Sequence, residues 1–224
     1  MKKDIYHGSE KIIENPVYGM GKTYNDYGLG FYCTESIEMA KEWGVRYDKN
    51  GYANHYEIDC NDLNILNLGK KPYGILHWLG ILLQNREFDI PAGIVMEARD
   101  YLLKEFKTDT SLYDIIIGYR ADDSYFSFAQ DFMNGTISYR QLSNALYLGN
   151  LGHQFVIKSK KAFKQLKFVN YEIAENEFWF ARKELRDKTA RREYFDIERN
   201  RRQRDDIYIH QIIDEEMKPD DPRL

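Results

Sequence analysis

The first residues of this 224-residue chain whose types suit chemistry lie at positions 6–9, with the sequence YHGS. They close a short segment, residues 4–7, that has the composition of a β-strand. His7 offers an imidazole, which can donate or accept a hydrogen bond near neutral pH. Gly8 has no Cβ, so a ligand can approach the backbone there, and Ser9 adds a hydroxyl. The pattern predicts a polar binding edge at the end of the first strand.

A second segment, residues 28–34 (GLGFYCT), follows a loop rich in glycine and asparagine. It contains Tyr32, and Trp43 comes eleven residues after that tyrosine. The flat faces of a phenol and an indole can hold a planar heteroaromatic ring between them by stacking. Cys33 lies beside the tyrosine, and we interpret it as a small buried hydrophobic residue, not a nucleophile. The two segments together predict a pocket for a ligand that contains a heteroaromatic ring.

The motifs HGS and GxGFYxT, with an aromatic residue eleven positions after the tyrosine, resemble the ADP-ribosyltransferase superfamily. The resemblance is to its His-Tyr-Glu branch, that of diphtheria toxin and the poly(ADP-ribose) polymerases, and most closely to the bacterial family catalogued as domain of unknown function 3990. It covers residue 4 to about residue 173. It implies an NAD-dependent mono-ADP-ribosyltransferase, which transfers one ADP-ribose from NAD to a protein or nucleic acid and releases nicotinamide. NAD is then the substrate, and no metal is expected.

The resemblance also implies roles for five residues. His7 would contact the ribose on the adenine side of NAD. The backbone of Gly8 and the hydroxyl of Ser9 would hold the nicotinamide amide. Tyr32 and Trp43 would enclose the nicotinamide ring between their faces. These five residues form the predicted NAD-binding set.

The third motif of the resembled branch is a glutamate that opens a later strand and binds the ribose next to nicotinamide. In this chain the corresponding strand is residues 153–157, and the position falls on Gln154. The predicted catalytic residues are therefore His7, Tyr32 and Gln154.

The substitution at this position has a cost that can be estimated. Cleavage of the bond between nicotinamide and ribose passes through an oxocarbenium-like state, which a carboxylate stabilises. Gln154 keeps a hydrogen bond to the ribose but carries no charge. We expect a penalty of about 2–4 kcal/mol, which corresponds to roughly 30- to 1000-fold in rate. Glu172 and Glu175, near the last predicted strand, are candidates to supply the charge instead.

Three functions fit these residues. The first is transfer of ADP-ribose, which the resemblance associates with bacterial toxins of toxin–antitoxin or phage-defence loci and with a small antitoxin protein as partner. The second is NAD hydrolysis without an acceptor, which uses the same residues. The third is a catalytically weak NAD-binding module that acts through its C-terminal helix, and the missing carboxylate favours it.

Two further charged groups have alternative interpretations. Arg86 either compensates the dipole at the end of a helix or contacts the NAD pyrophosphate. Asp114 and the pair Asp122 and Asp123 flank an isoleucine-rich segment. The pair either caps a helix that begins at Ser124 or contacts the substrate.

The elements that must position these residues follow from composition and periodicity. A helix capped by Ser36 should carry Trp43. Further strands are predicted over residues 31–34, 53–58, 63–68, 112–119, 153–158 and 168–173, and further helices over residues 73–84, 92–106, 125–133, 139–147 and 160–166. Strands followed by helices and then strands indicate an α+β protein. The resemblance implies split antiparallel β-sheets with flanking helices.

The C-terminal part of the chain differs in composition. Residues 176–217 contain neither proline nor glycine, which predicts one long helix, broken near residues 205–206, that projects from the globular part. The predicted domains are thus an NAD-binding domain over residues 1–175 and a charged helical extension over residues 176–224. Residues 182–204 contain ten Lys/Arg and five Asp/Glu. This basic tail either attracts an acidic partner, including nucleic acid, or is a solvated helix with i,i+4 ion pairs.

Composition excludes several classes of protein. The net charge is −4, which argues against nucleic-acid binding by the molecule as a whole. No apolar run reaches the ~18–20 residues of a membrane-spanning helix, so we expect no membrane partner. The N-terminus lacks an apolar signal region, and two cysteines provide no disulfide framework, which predicts a cytoplasmic protein. Cys and His residues with metal-ligand spacing are absent from the sequence.

Overall fold

The computed structural model of the chain describes residues 1–121 and 123–224, with side chains at all of these positions except 123 and 124. Its strands form two sheets. The three-stranded sheet consists, in spatial order, of β1 (Lys2–Ser9), β3 (Gly51–Asp59) and β7 (Leu166–Ala174). The four-stranded sheet consists of β2 (Phe31–Cys33), β6 (Gln154–Ile157), β5 (Ile115–Gly118) and β4 (Ile65–Asn67). The prediction of a mixed α and β protein with two sheets is confirmed.

The other regular elements in the described residues are helical. Those in the described residues are α1 (Ile37–Gly44), α2 (Ile75–Asn85), α3 (Ile94–Glu105), α4 (Asp123–Met133), α5 (Tyr139–Ala145), α6 (Lys160–Phe163), α7 (Asn176–Asp196) and α8 (Ile209–Asp214). Helix α1 begins as predicted, because the hydroxyl of Ser36 accepts a hydrogen bond from the Met39 amide at 3.3 Å. None of these helices is both long enough and apolar enough to cross a membrane.

The two sheets separate close to His7. Strands β1 and β2 touch at a single bridge, in which the amides of Tyr6 and Thr34 donate to each other's carbonyl oxygens at 2.7 and 2.9 Å. Beyond this bridge β1 continues with β3, and β2 pairs with β6. As a result, a cleft opens next to His7, where β1 and β2 diverge.

The prediction of purely antiparallel sheets was wrong for one pair of strands. Strands β4 and β5 are parallel, with Ile65 opposite Ile115, whereas β5 and β6 are antiparallel. The physical reason is the long connection between β4 and β5, which contains α2 and α3. Parallel neighbours require such a crossover, and two short extended segments do not reveal their relative direction.

Two clusters of buried side chains hold the elements together. The smaller one lies between the sheets and includes Ile5, Cys33 and Phe155. Cys33 is fully buried and not disulfide-bonded, and burial raises the pKa of its thiol, as suits a packing residue. The larger cluster joins the four-stranded sheet to the helices and contains Trp78 and Phe128.

The C-terminal segment does not project from the protein, and this prediction was wrong. Helix α7 ends at Asp196, earlier than the predicted break, and the chain then turns back toward α8. Tyr194, Ile209 and Met217 are buried in the larger core cluster. The boundary predicted at residue 175 falls between β7 and α7. The side chains after this boundary thus complete the core.

Helix α7 is attached to α1 by buried charges. The Glu42 side chain is 2% exposed, and it accepts a hydrogen bond from Nε of Arg186 at 2.7 Å. Arg182 lies 3.5 Å from the same carboxylate and also pairs with Glu38 at the surface. Because Glu42 precedes Trp43 in α1, these ion pairs fix α7 beside one of the predicted site residues.

We therefore expect the Arg186→Met variant to lose about 3 kcal/mol of unfolding free energy, because it removes the shorter of the two ion pairs of the buried Glu42 carboxylate and leaves only the 3.5 Å contact to Arg182. Arg191→Met is a matched control on the same helix. Its arginine forms an exposed i,i+4 pair with Asp187, so it should cost less than about 0.5 kcal/mol. Urea denaturation measures both values, and equal losses in the two variants would contradict this account of α7.

Candidate functional site

The side chains of His7, Tyr32, Trp43 and Gln154 line one cavity of about 820 Å³. They come from β1, β2, α1 and β6 respectively. A cavity of this size is typical of sites for small molecules and cofactors. The structure therefore brings together four residues that are far apart in the sequence.

Strand pairing explains why these residues meet. The bridge between Tyr6 and Thr34 places the following residue of β1, His7, beside β2. In the β2–β6 pair Tyr32 lies opposite Val156, so Gln154 lies on the adjacent strand two residues away. Hydrogen-bonded strands are about 4.8 Å apart, which keeps all of these side chains within reach of one ligand.

The imidazole of His7 is held in one orientation. Its Nδ1 lies 2.7 Å from the carbonyl oxygen of Tyr32, and its ring centre lies 4.4 Å from that of Phe31. A carbonyl oxygen only accepts, so Nδ1 carries the proton and Nε2 of the neutral ring is an acceptor. Burial lowers the pKa of His7, although the bond to Tyr32 partly opposes this shift. His7 thus offers a neutral acceptor nitrogen to a ligand hydroxyl.

The phenol of Tyr32 is fixed by the preceding loop. Its hydroxyl donates to the carbonyl oxygen of Gly28 at 2.6 Å and accepts from the amide of Tyr27 at 3.0 Å. Burial raises the pKa of Tyr32 far above its ordinary value. The hydroxyl of Tyr32 therefore holds the preceding loop in place, and Tyr32 can contact a ligand through its aromatic ring.

The indole of Trp43 carries a cation on one face. The guanidinium carbon of Arg120 lies 3.6 Å from the ring centroid, within cation–π distance, and Arg120 is 2% exposed. One face of the indole is therefore covered by protein. A ligand ring can stack only on the opposite face.

Gly8 and Ser9 are not among the residues that line the cavity. A Cβ on Gly8 would overlap the carbonyl oxygen of Ala40 and lie 2.8 Å from the amide nitrogen of Gly44. The absence of a Cβ on Gly8 lets α1 pack closely against β1 and does not make room for a ligand. The explanation of this glycine inferred from the sequence was therefore wrong. Ser9 accepts a hydrogen bond from the amide of Lys11 at 3.1 Å.

The backbone of Gly8 still faces the cleft. Strand residues direct their amide and carbonyl groups alternately to the two sides of the strand. Tyr6 directs its groups toward β2, where they bond to Thr34. Gly8, two residues further on, directs its own groups to the same side. A backbone contact to a ligand is compatible with this position.

A carboxylate that the sequence analysis did not select lies in the cavity. Asp26 is 6% exposed and lines the cavity wall. Its Oδ1 accepts from Nη1 of Arg86 at 2.9 Å, and its Oδ2 accepts from the Ala121 amide at 3.1 Å and from Nε2 of Gln154 at 3.0 Å. Arg86 is also the C-cap residue of α2, so it both ends a helix and lines the cavity. Asp26 holds together four parts of the chain.

Asp26 was missed because aspartate in the sequence NDYG is typical of a turn. The carboxylates proposed in its place were wrong. Glu172 pairs with Lys41 at 2.7 Å on the surface of the three-stranded sheet, and Glu175 directly precedes α7. Neither lines the cavity, and in the three-stranded sheet β3 separates β7 from β1, the strand that carries His7.

Gln154 has an unusual environment for a buried amide. The residue is 6% exposed, and its Oε1 has no hydrogen-bond partner among the described residues. An unpaired buried acceptor costs about 1–3 kcal/mol. A ligand donor in the cavity would remove this cost.

The cavity is more positive than the protein as a whole. Its lining contains six Arg or Lys and three Asp or Glu, a net charge of +3, whereas the chain carries −4. Helix α7 contributes three of these cations, Lys183, Arg186 and Arg191, and two of the three acids, Glu184 and Asp187, a net charge of +1. The basic tail thus forms one wall of the cavity, and the arrangement favours an anionic ligand.

The acidic residues near β5 contribute less than their positions suggested. Asp114 accepts hydrogen bonds from Ser159 and from the Asn64 amide, and it does not line the cavity. Asp122 and the side chain of Asp123 lie outside the described residues, so the helix-cap interpretation stays a prediction. No cluster of three or more potential metal ligands occurs in residues 1–121 and 123–224 as far as their side chains are described.

Comparison with known proteins gives one match. The model of a family described as a protein of unknown function (DUF3990) matches residues 3–168. This range includes the four cavity residues selected from the sequence, and α7 lies beyond it. No curated protein and no solved structure matches the chain.

The environment of His7 predicts a pH effect. Because burial lowers its pKa, the unfolded chain binds a proton near pH 6.5 that the folded chain does not, so acidification through this range destabilises the fold. We expect the melting temperature of the wild type to fall more between pH 7 and pH 5 than that of His7→Gln. A control, His210→Gln at an exposed position, should follow the wild type, and equal slopes for all three proteins would contradict the lowered pKa of His7.

Proposed function

We propose that this chain, which belongs to the DUF3990 family of proteins of unknown function, transfers one ADP-ribose from NAD to a macromolecule and releases nicotinamide. The observation that carries the proposal is the single cavity lined by His7, Tyr32, Trp43 and Gln154. The sequence motifs alone predict each of these residues, without reference to its position in space. A chance set of four residues from four elements would not be expected to share one cavity.

The chemistry of the cavity suits the parts of NAD. The phenol of Tyr32 and the free face of Trp43 suit the nicotinamide ring. Nε2 of His7 suits a ribose hydroxyl, because it is an acceptor in the neutral ring. The cations of α7 and Arg46 suit the diphosphate.

The reaction breaks the bond between C1′ of the ribose and the nicotinamide nitrogen. Nicotinamide leaves with the electron pair of that bond, and positive charge develops on the ribose. The carbonyl oxygen of Gln154 accepts a hydrogen bond from the ribose and favours this state. A nucleophilic atom of the acceptor then forms a bond to C1′ and loses its proton to water.

The test is nicotinamide release from NAD, measured with the purified protein and with cell protein or RNA added separately as acceptor. We expect His7→Ala and Trp43→Leu to slow release about 100-fold, equivalent to ~2.7 kcal/mol of transition-state stabilisation. The matched controls His210→Ala and Trp179→Leu alter residues that do not line the cavity and should stay within about threefold of the wild type.

The products separate the alternatives. Radiolabel from the adenylate part of NAD on protein or RNA supports transfer. Free ADP-ribose without a labelled macromolecule would instead identify an NAD hydrolase. NAD binding without nicotinamide release would identify a binding module, and the absence of both binding and release would overturn the proposal.

A further inference from the structure

The hydrogen bond between Gln154 and Asp26 fixes the orientation of the glutamine amide. A carboxylate can only accept, so the group 3.0 Å from Oδ2 of Asp26 must be the NH₂ of Gln154. The carbonyl oxygen Oε1 therefore points away from Asp26. It is buried and has no partner among the described residues.

A second buried glutamine, Gln141, pairs its carbonyl within the chain, whereas the unpaired carbonyl of Gln130 belongs to a residue that does not line the cavity. Gln141 is fully buried, and both ends of its amide are paired. Its Nε2 donates to the carbonyl oxygen of Glu198 at 2.7 Å, and its Oε1 accepts from the Ser138 amide at 2.9 Å. Only the carbonyl of Gln154, of these two, is left for a donor from outside the chain.

The position of Asp26 also explains why residue 154 is not a glutamate. Two carboxylates at hydrogen-bond distance cannot both be ionised without strong repulsion. Asp26 accepts hydrogen bonds from Arg86 and from the Ala121 amide, and donors of this kind favour an ionised carboxylate. With one buried carboxylate already fixed in the loop, the strand must carry a neutral donor.

We propose that Asp26 is the carboxylate of this site and that it positions Gln154, so that Oε1 accepts a hydrogen bond from a sugar hydroxyl of the ligand. The inference rests on the proposed function, in which that hydroxyl belongs to the ribose of NAD. Asp26 is a positioning residue, because it acts through the amide of Gln154. Its negative charge makes the amide a stronger acceptor, since hydrogen bonds in series polarise one another.

Exchange of the two side chains tests the inference. Asp26→Asn removes the charge, and Gln154→Glu places two carboxylates in contact. Each single variant should lower kcat for nicotinamide release about 30-fold or more. The double variant Asp26→Asn/Gln154→Glu restores one carboxylate and one amide, and it should regain activity to within about tenfold of the wild type. Asp114→Asn, a buried carboxylate outside the cavity, is the control and should leave kcat within about threefold of the wild type.

Thermal melts of the same proteins test the contact without NAD. In Gln154→Glu the paired carboxyls should share a proton, which raises one pKa above its unfolded value. Stability is then lost as pH rises from about 5 toward 8. Adding Asp26→Asn should abolish this additional loss.

The outcomes separate the two proposals. Recovery of kcat in the double variant supports the positioning role. A double variant no better than the product of its single effects, or an Asp26→Asn protein as active as the wild type, would overturn it. If the wild type releases no nicotinamide, the proposed function fails, and the melts still decide the Asp26–Gln154 contact: independent effects of the two substitutions on stability would overturn it.

Discussion

The buried carboxylate of Asp26 must be paired and hydrogen-bonded, and the rest of the site supplies its partners. A charge that is 6% exposed is stable only when it is paired and hydrogen-bonded. Its partners include the guanidinium of Arg86, the amide of Ala121 and the side chain of Gln154. They lie at the end of α2, after β5 and on β6, so one carboxylate ties the loop before β2 to both a helix and the four-stranded sheet.

The opposite wall of the cavity depends on a second buried charge. Glu42 holds Arg186, and through it the helix α7, against the helix that carries Trp43. The wall therefore comes from residues beyond the range that matches the family, which ends at residue 168.

Sequence patterns located the elements well and the site in part. His7, Tyr32, Trp43 and Gln154 were found because short motifs and a fixed spacing mark them. Asp26 was not found, because an aspartate next to glycine in a loop has the appearance of an ordinary turn residue.

The position of α7 could not be predicted for a different reason. Hydrophobic periodicity is what reveals a packed helix, but only Ala190 and Tyr194 of α7 are buried, and its arginines pair with Glu38 and Glu42, which are over 140 residues away in the chain. Pairing of distant charges leaves no local pattern. The same holds for the parallel direction of β4 and β5, which depends on the path of the chain between them.

We propose that one cavity holds a dinucleotide with its nicotinamide ring at Tyr32 and Trp43. The most direct measurement is a crystal structure of the protein with an NAD analogue whose glycosidic bond cannot be cleaved. The account predicts the ring on the face of Trp43 that Arg120 leaves open, a ribose hydroxyl on Oε1 of Gln154, and the diphosphate beside α7. An analogue bound elsewhere on the protein, or an empty cavity at millimolar analogue, would contradict it.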